Sequence, residues 1–298
     1  MERKQASLLK IIVVMFCPPL MWGIGNVVTR SLLIEGVNEI FLVTIRITLI
    51  SILIGSYSLL FKREKFNAIL LREASLTGFV SIFIVGWSLI FALQHISSGL
   101  VTLMISSAPI FTIIWIKLFL KEEEVSTLRY IAIFTGFMGL AYLFISKETG
   151  LLDQGNIYKG GSLAFIGVQA IALSTVLNRK FAPKYNTGTW LAYQYPVTLF
   201  LSLSAYLISG VGVSSLDSSQ KIRLGIMVVF NLGAFLSFTW LIQRVSALLV
   251  STVDYMVPIV GVTGGVLILN ESFNKNIIIA GLFILISMIL NTREEFSD

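Results

Sequence analysis

The sequence predicts an all-α polytopic membrane protein of ten transmembrane helices, arranged as two five-helix repeats of opposite orientation. Three observations predict it: an apolar composition, ten long apolar runs, and a match of the chain to itself at an offset of 149 residues. Of 298 residues, 56% are hydrophobic and 13% charged, and a mean hydropathy of +0.87 does not suit a water-facing surface. A helix crossing a bilayer core of ~30 Å needs about 20 mainly apolar residues, so ten crossings use roughly 200 and leave about 100 for connections. That excludes an appended soluble domain.

The predicted spans lie near 8–29, 38–61, 74–94, 98–120, 126–146, 159–179, 188–209, 222–242, 247–269 and 276–292. The first has the basic start of a signal peptide (Arg3, Lys4, Lys10). Trp22, Gly23 and Ile24 follow where a small-residue cleavage site would stand, so it reads as a retained span. Placing both termini in the cytoplasm puts fifteen of the 22 basic residues inside, among them Lys62, Arg63, Lys65, Lys121 and Arg179. Six fall outside and Arg46 falls within a span. The expectation is a multi-pass protein of the cytoplasmic membrane with both ends inside. The +6 charge sits in these short clusters, which are topology signals rather than a nucleic-acid footprint, so no nucleic-acid partner is expected.

Sliding the chain by 149 positions brings Arg30 onto Arg179, Tyr57 onto Tyr206, Gln94 onto Gln243 and Ser97 onto Ser246. Pro109 then meets Pro258, and Glu122 meets Glu271. Polar and proline matches that keep one offset without a gap indicate an internal duplication, with repeats over 1–149 and 150–298. Each half has five spans, an odd number, so the second enters the membrane the opposite way round. Inverted repeats commonly build secondary transporters, because two similar halves can rock around a midplane site.

No G-x-x-x-x-G-K-[ST] phosphate cradle, H-E-x-x-H pair or G-x-S-x-G elbow occurs, which argues against ATP-driven pumping and common hydrolase chemistry. Cys17 is the only cysteine and His95 the only histidine, so an intrachain disulfide and a multi-His metal site are excluded. No cofactor is expected.

Trp22-Gly23 with Asn26 in the first span and Ile45-Arg46 in the second begin a recognisable series. It continues with Ala92-Leu93-Gln94-His95-Ile96-Ser97-Ser98-Gly99-Leu100, then Pro109 and Glu122. The second half repeats it as Gln243-Arg244-Val245-Ser246-Ala247-Leu248, Pro258 and Asn270-Glu271. In this order, over nearly the whole chain, these residues resemble the EamA branch of the drug/metabolite transporter superfamily. The resemblance implies ten helices, a central cavity and alternating access without ATP, and it implies export for bacterial members that handle amino acids and metabolites. It does not imply a particular substrate.

Asp254 is the only acidic residue well inside a predicted span, where an unpaired carboxylate costs roughly 2.5–3.5 kcal/mol on insertion scales. With Ser251, Tyr255 and Pro258 it makes one face of the ninth helix, which is predicted to face the cavity. There it is either a partner for a substrate ammonium or a proton carrier, or else a static partner for Arg46. Both charges lie ~12 Å deep from opposite faces, with heights that differ by ~6 Å. Arg46 alternatively binds a substrate carboxylate bidentately or snorkels to the outer interface; the resemblance implies a structural role.

Thr102, Ser106 and Pro109 repeat the ninth-helix face on the fourth helix. Mid-span prolines break a backbone hydrogen bond, so Pro109 and Pro258, with Pro18 and Pro19 in the first span, are candidate hinges or fixed bends. Amides and aromatics share faces as Trp22 with Asn26, Trp87 with Phe91 and Gln94, Trp190 with Tyr193 and Gln194, and Asn231 with Phe235; Gln169 sits mid-span in the sixth. The expected substrate lining is Trp22, Asn26, Trp87, Gln169, Tyr193, Asn231, Asp254 and Tyr255, with each aromatic alternatively packing against lipid or core. His95 reads as a solvated turn residue and Glu122 and Glu271 as orienting caps. Gly261 and Gly265 read as a close-packing pair within the chain, with homodimerisation as the alternative, so monomer and homodimer both stay open.

These residues point to a secondary transporter for a small metabolite, an amino acid or derivative first, lodged in the lipid bilayer. Alternatives are a lipid flippase or scramblase, and uptake or exchange of a cofactor or nucleotide-type metabolite. An intramembrane enzyme ranks last, since no catalytic dyad or triad can be assembled.

Overall fold

The computed structural model describes residues 8–61, 67–120, 127–152, 155–272 and 274–295. Arg3, Lys4, Lys62, Arg63, Lys65 and Lys121 of the charge argument, and Glu122, lie outside the described residues.

Among the described residues ten helical rods follow in chain order, several of them in pieces. The first half holds α1 (Leu8–Met15 and Cys17–Ile34), α2 (Glu39–Phe61) and α3 (Ala68–Gly78, a π-helical stretch Phe79–Ile84, and Val85–Ala92), followed by α4 (Ser98–Ile105 and Ala108–Phe119) and α5 (Thr127–Ser146). The second holds α6 (Ile157–Phe181), α7 (Thr187–Ser209), α8 (Ser218–Ile242), α9 (Ala247–Ser251, a 3-10 turn Thr252–Met256, and Val257–Leu269) and α10 (Lys275–Glu295). Among the described residues eight rods are long and apolar enough to cross a membrane. The shorter apolar stretches Tyr130–Ser146 and Lys275–Ser287 belong to α5 and α10.

Short polar side chains start these helices where the sequence leaves the apolar runs. Asn67, Asn156 and Asn186 accept backbone N–H groups at the starts of α3, α6 and α7, and Asp217 with Gln220 closes a capping box on α8. Ser97 and Ser246, one repeat apart, cap α4 and α9 in the same way. The Arg30 guanidinium donates to the Leu93 carbonyl (2.5 Å) and Arg179 to the Ile242 carbonyl (3.0 Å), so the same hook recurs 149 positions on.

The proline positions differ from simple kinks. Pro18 and Pro19 open the second piece of α1, Pro109 the second piece of α4, and Pro258 the last piece of α9. A proline there removes an N–H that has no partner in its own helix, so each marks a break between two well-formed pieces. Pro196, by contrast, lies inside α7.

The repeats do not form separate bodies. α1 packs on α8 and α9, α2 on α7, α3 between α6 and α7, α4 on α9 and α6, and α5 on α10, so the principal contacts join one half to the other. Close approach needs missing side chains. A Cβ on Gly78 would stand 2.3 Å from the Gln194 carbonyl oxygen, and one on Gly261 would stand 2.3 Å from Thr102 Oγ1. The Gly261/Gly265 face is thus spent on α4 within the chain.

Beside that contact the Glu271 carboxylate, 8% exposed, reaches across the repeats to the start of α4. It accepts from the Ser98 N–H (2.8 Å), the Ser98 hydroxyl (2.8 Å) and the Gly99 N–H (3.1 Å), with Arg30 Nε 3.8 Å away. The carboxylate therefore faces the positive end of the helix. Glu271→Ala leaves three buried donors unmade and should cost about 1.5–3 kcal/mol per lost charged bond at most, not additively. The expected result is a clear fall in the thermal midpoint in detergent; an unchanged midpoint would refute this account of the cap.

Candidate central cavity

Among the described residues a cavity lies between the halves, lined from both repeats. Its wall is mainly aliphatic, supplied by Ile47, Ile50, Ile82, Val85, Leu89, Ile90, Ile105, Ile171 and Val257, with Trp22, Phe235 and Phe238 at one side. The Trp22 ring meets Phe235 edge-on at 5.8 Å and Phe238 at 5.5 Å, which fixes its plane.

Seven residues singled out from the sequence come together on this wall: Trp22, Asn26, Arg46, Gln194, Asn231, Phe235 and Asp254. Asp254 is 1% exposed and sits in the 3-10 turn of α9, where the interruption of regular helix sets its carboxylate toward α1 and the cavity. Its Oδ2 finds no hydrogen-bond partner among the described residues. Arg46 projects from α2, and no ion pair joins it to Asp254 or to any other described carboxylate. Among the described residues the cavity lining thus holds a guanidinium and a carboxyl group with no ion pair between them. Asn231 donates to the Met227 carbonyl (3.1 Å), which holds the amide against α1 beside Gly25.

The other four expected lining residues stand elsewhere. Trp87 donates its indole N–H to Ser202 Oγ (3.2 Å) and stacks on Phe91 at 5.7 Å. Gln169 carries a buried Nε2 without a partner among the described residues, away from the cavity wall. Tyr193 packs into an apolar cluster with Trp22 and Trp190, and Tyr255 is buried within α9. His95 lies in the turn between α3 and α4; burial first, and Lys159 second, hold its imidazole below the ordinary value against Glu39.

In their place the structure adds a polar wall built across α3, α6 and α7. Ser81 donates to Gln194 Oε1 (3.1 Å), while Gln194 Nε2 (3.4 Å) and the Trp190 indole (2.8 Å) both donate to Asn178 Oδ1. Tyr195 lines the cavity next to Gln194. Ser81 belongs to the π-helical stretch, whose extra residue per turn shifts the register of α3. Gln194 shares its sequence-predicted helix face with Trp190 and Tyr193, whereas Ser81, Asn178 and Tyr195 enter the lining from the structure alone. Three polar residues at 174, 175 and 178, on one side of an apolar helix, were the available signal. Among the described residues no group of three or more His, Cys, Asp or Glu could hold a metal ion.

Helices long and apolar enough to cross a membrane thus surround a mostly apolar cavity, and the comparisons with known proteins say which class of membrane protein this is. The chain belongs to the EamA-like transporter family, whose profile matches residues 9–145 and 158–293, one match for each repeat. The family forms part of the drug/metabolite transporter superfamily. The chain is also similar to an uncharacterized transporter of Archaeoglobus fulgidus, with 24% identity over 206 residues, covering 67% of this chain and 70% of the relative. A solved crystal structure covers 96% of this chain and 98% of its own with a TM-score of 0.68 at 16% identity, a likeness of fold alone.

Proposed function

We propose that this protein is a secondary transporter of the cytoplasmic membrane that moves an amino acid or amino-acid derivative outward by alternating access. In this reading ten spans form two inverted repeats, both termini lie in the cytoplasm, and the repeats rock around the central cavity with Pro18, Pro19, Pro109 and Pro258 at the hinges. The observation that carries it is the presence of a guanidinium and a carboxyl group, Arg46 and Asp254, on one largely apolar wall without an ion pair between them. Charges held apart in a poorly hydrated cavity are best satisfied by a ligand that brings its own complementary pair. A zwitterion with an apolar side chain does so. Outward movement comes from the resemblance to bacterial exporters.

The test is counterflow of a labelled amino-acid panel into sealed liposomes that hold the purified protein, with protein-free liposomes as control. Saturable exchange of one class supports the reading. No exchange of any member by folded protein would sink it and turn attention to cofactors, nucleotides and lipids. Gln169, Trp87, Tyr193 and Tyr255 then serve as comparison sites, since direct substrate contact at them requires a second conformation of the carrier.

A further inference from the structure

Resting on the amino-acid reading above, we propose that Arg46, Tyr195 and Gln194 form a carboxylate subsite in the cavity, with Gly86 setting where the guanidinium stands. Arg46 comes from α2 and lays its head against bare backbone on α3. A Cβ on Gly86 would lie 2.5 Å from Arg46 Nη2, whereas the next nearest atom outside that side chain, Val43 Cγ2, is 3.7 Å away. An alanine there would therefore displace the guanidinium and little else.

Tyr195, 1% exposed on α7, lines the same cavity as that guanidinium, and its buried hydroxyl has no hydrogen-bond partner among the described residues. Gln194 commits its Oε1 to Ser81 and one N–H to Asn178, which leaves its second amide N–H to give. Guanidinium, phenol and amide are all able to donate, and among the described residues Arg46 is the one cation of the cavity lining. Such a set lacks an acceptor of charge −1. A carboxylate supplies one in a geometry that suits the guanidinium fork, whereas a doubly charged phosphate would leave negative charge uncompensated.

The probe is labelled leucine in the same liposomes, competed by unlabelled leucine, by 3-methylbutylamine, which keeps the amine, and by 4-methylpentanoate, which keeps the acid. Tyr195→Phe and Gly86→Ala, each first shown to hold the parent thermal midpoint, should weaken competition by leucine and by the acid about ten-fold and leave the amine unchanged. Equal loss for acid and amine, or no loss for the acid in either variant, overturns the subsite. If the parent protein exchanges no member of the amino-acid panel, the amino-acid reading has failed and calorimetric binding of 4-methylpentanoate decides the subsite alone. Binding that weakens about ten-fold in both variants supports it, and equal or absent binding refutes it.

Discussion

Asp254→Asn is expected to reduce exchange of a zwitterionic substrate by about 10–100-fold in apparent affinity while leaving the protein as stable as before or more so. The two directions follow from one geometry. The carboxyl is 1% exposed and its Oδ2 lacks a partner among the described residues, so the folded protein carries the cost of holding an ionisable group in a desolvated place. Asparagine keeps the shape and removes that cost, yet it also removes the attraction for an ammonium group. A static partner for Arg46 would behave otherwise: its loss would strand the guanidinium and lower stability. Counterflow and a thermal midpoint, measured on the same preparation, separate the cases. Unchanged exchange would remove Asp254 from the site. If Asp254 also carries a proton, the variant should lose any dependence of flux on a pH gradient.

Gly261→Ala should wedge α9 away from α4. The new Cβ would lie 2.3 Å from Thr102 Oγ1 and 2.4 Å from its Cγ2, and Thr102 has little room to retreat. Its side chain is fully buried, branched at Cβ and bonded to the Gly99 carbonyl at 2.9 Å. Overpacking of this kind costs about 1–3 kcal/mol. The expected readouts are a lower thermal midpoint and faster labelling, by a thiol reagent added from the Glu271 side, of a cysteine placed at Ile105 in a Cys17→Ser background. Gly225→Ala is the control, because nothing lies within 4 Å of its added Cβ, and it should be neutral or mildly stabilising. Equal behaviour of the two alanine variants would contradict the close packing of α4 on α9.

The helices themselves were readable because apolar runs and short polar caps mark them directly: Ser97 and Ser246 stand where the chain turns, and both cap helices. Intramembrane polarity was also readable. Asp254, Arg46, Asn26 and Asn231 needed a protein surround, and all four face the cavity. The rotation of each helix was harder, since lipid and core are both apolar and no amphipathic stripe fixes the phase. Tyr193 and Tyr195 show the cost. Two residues turn a helix by about 200°, and it is the second that meets the cavity. Asn178 was hidden by its neighbours Arg179 and Lys180, which read as the end of a span although the helix runs on to Phe181. The π-helical stretch over Phe79–Ile84 leaves no trace in the apolar pattern, because a register shift of one residue exchanges one hydrophobic side chain for another.

The interleaving of the repeats bears on how the molecule is made. A ribosome releases α1 to α5 before any of the helices on which they finally rest: α8 and α9 for α1, α7 for α2, α10 for α5. Lipid can solvate their apolar sides during that wait, but it offers nothing to Arg46 or Asn26, so the early half is a set of loosely held spans with two unsettled polar groups. Assembly is completed only by the later half. By the same reasoning a chain divided in the segment between α5 and α6 should still yield a working protein when both pieces are synthesised together, and neither piece should be stable when made alone.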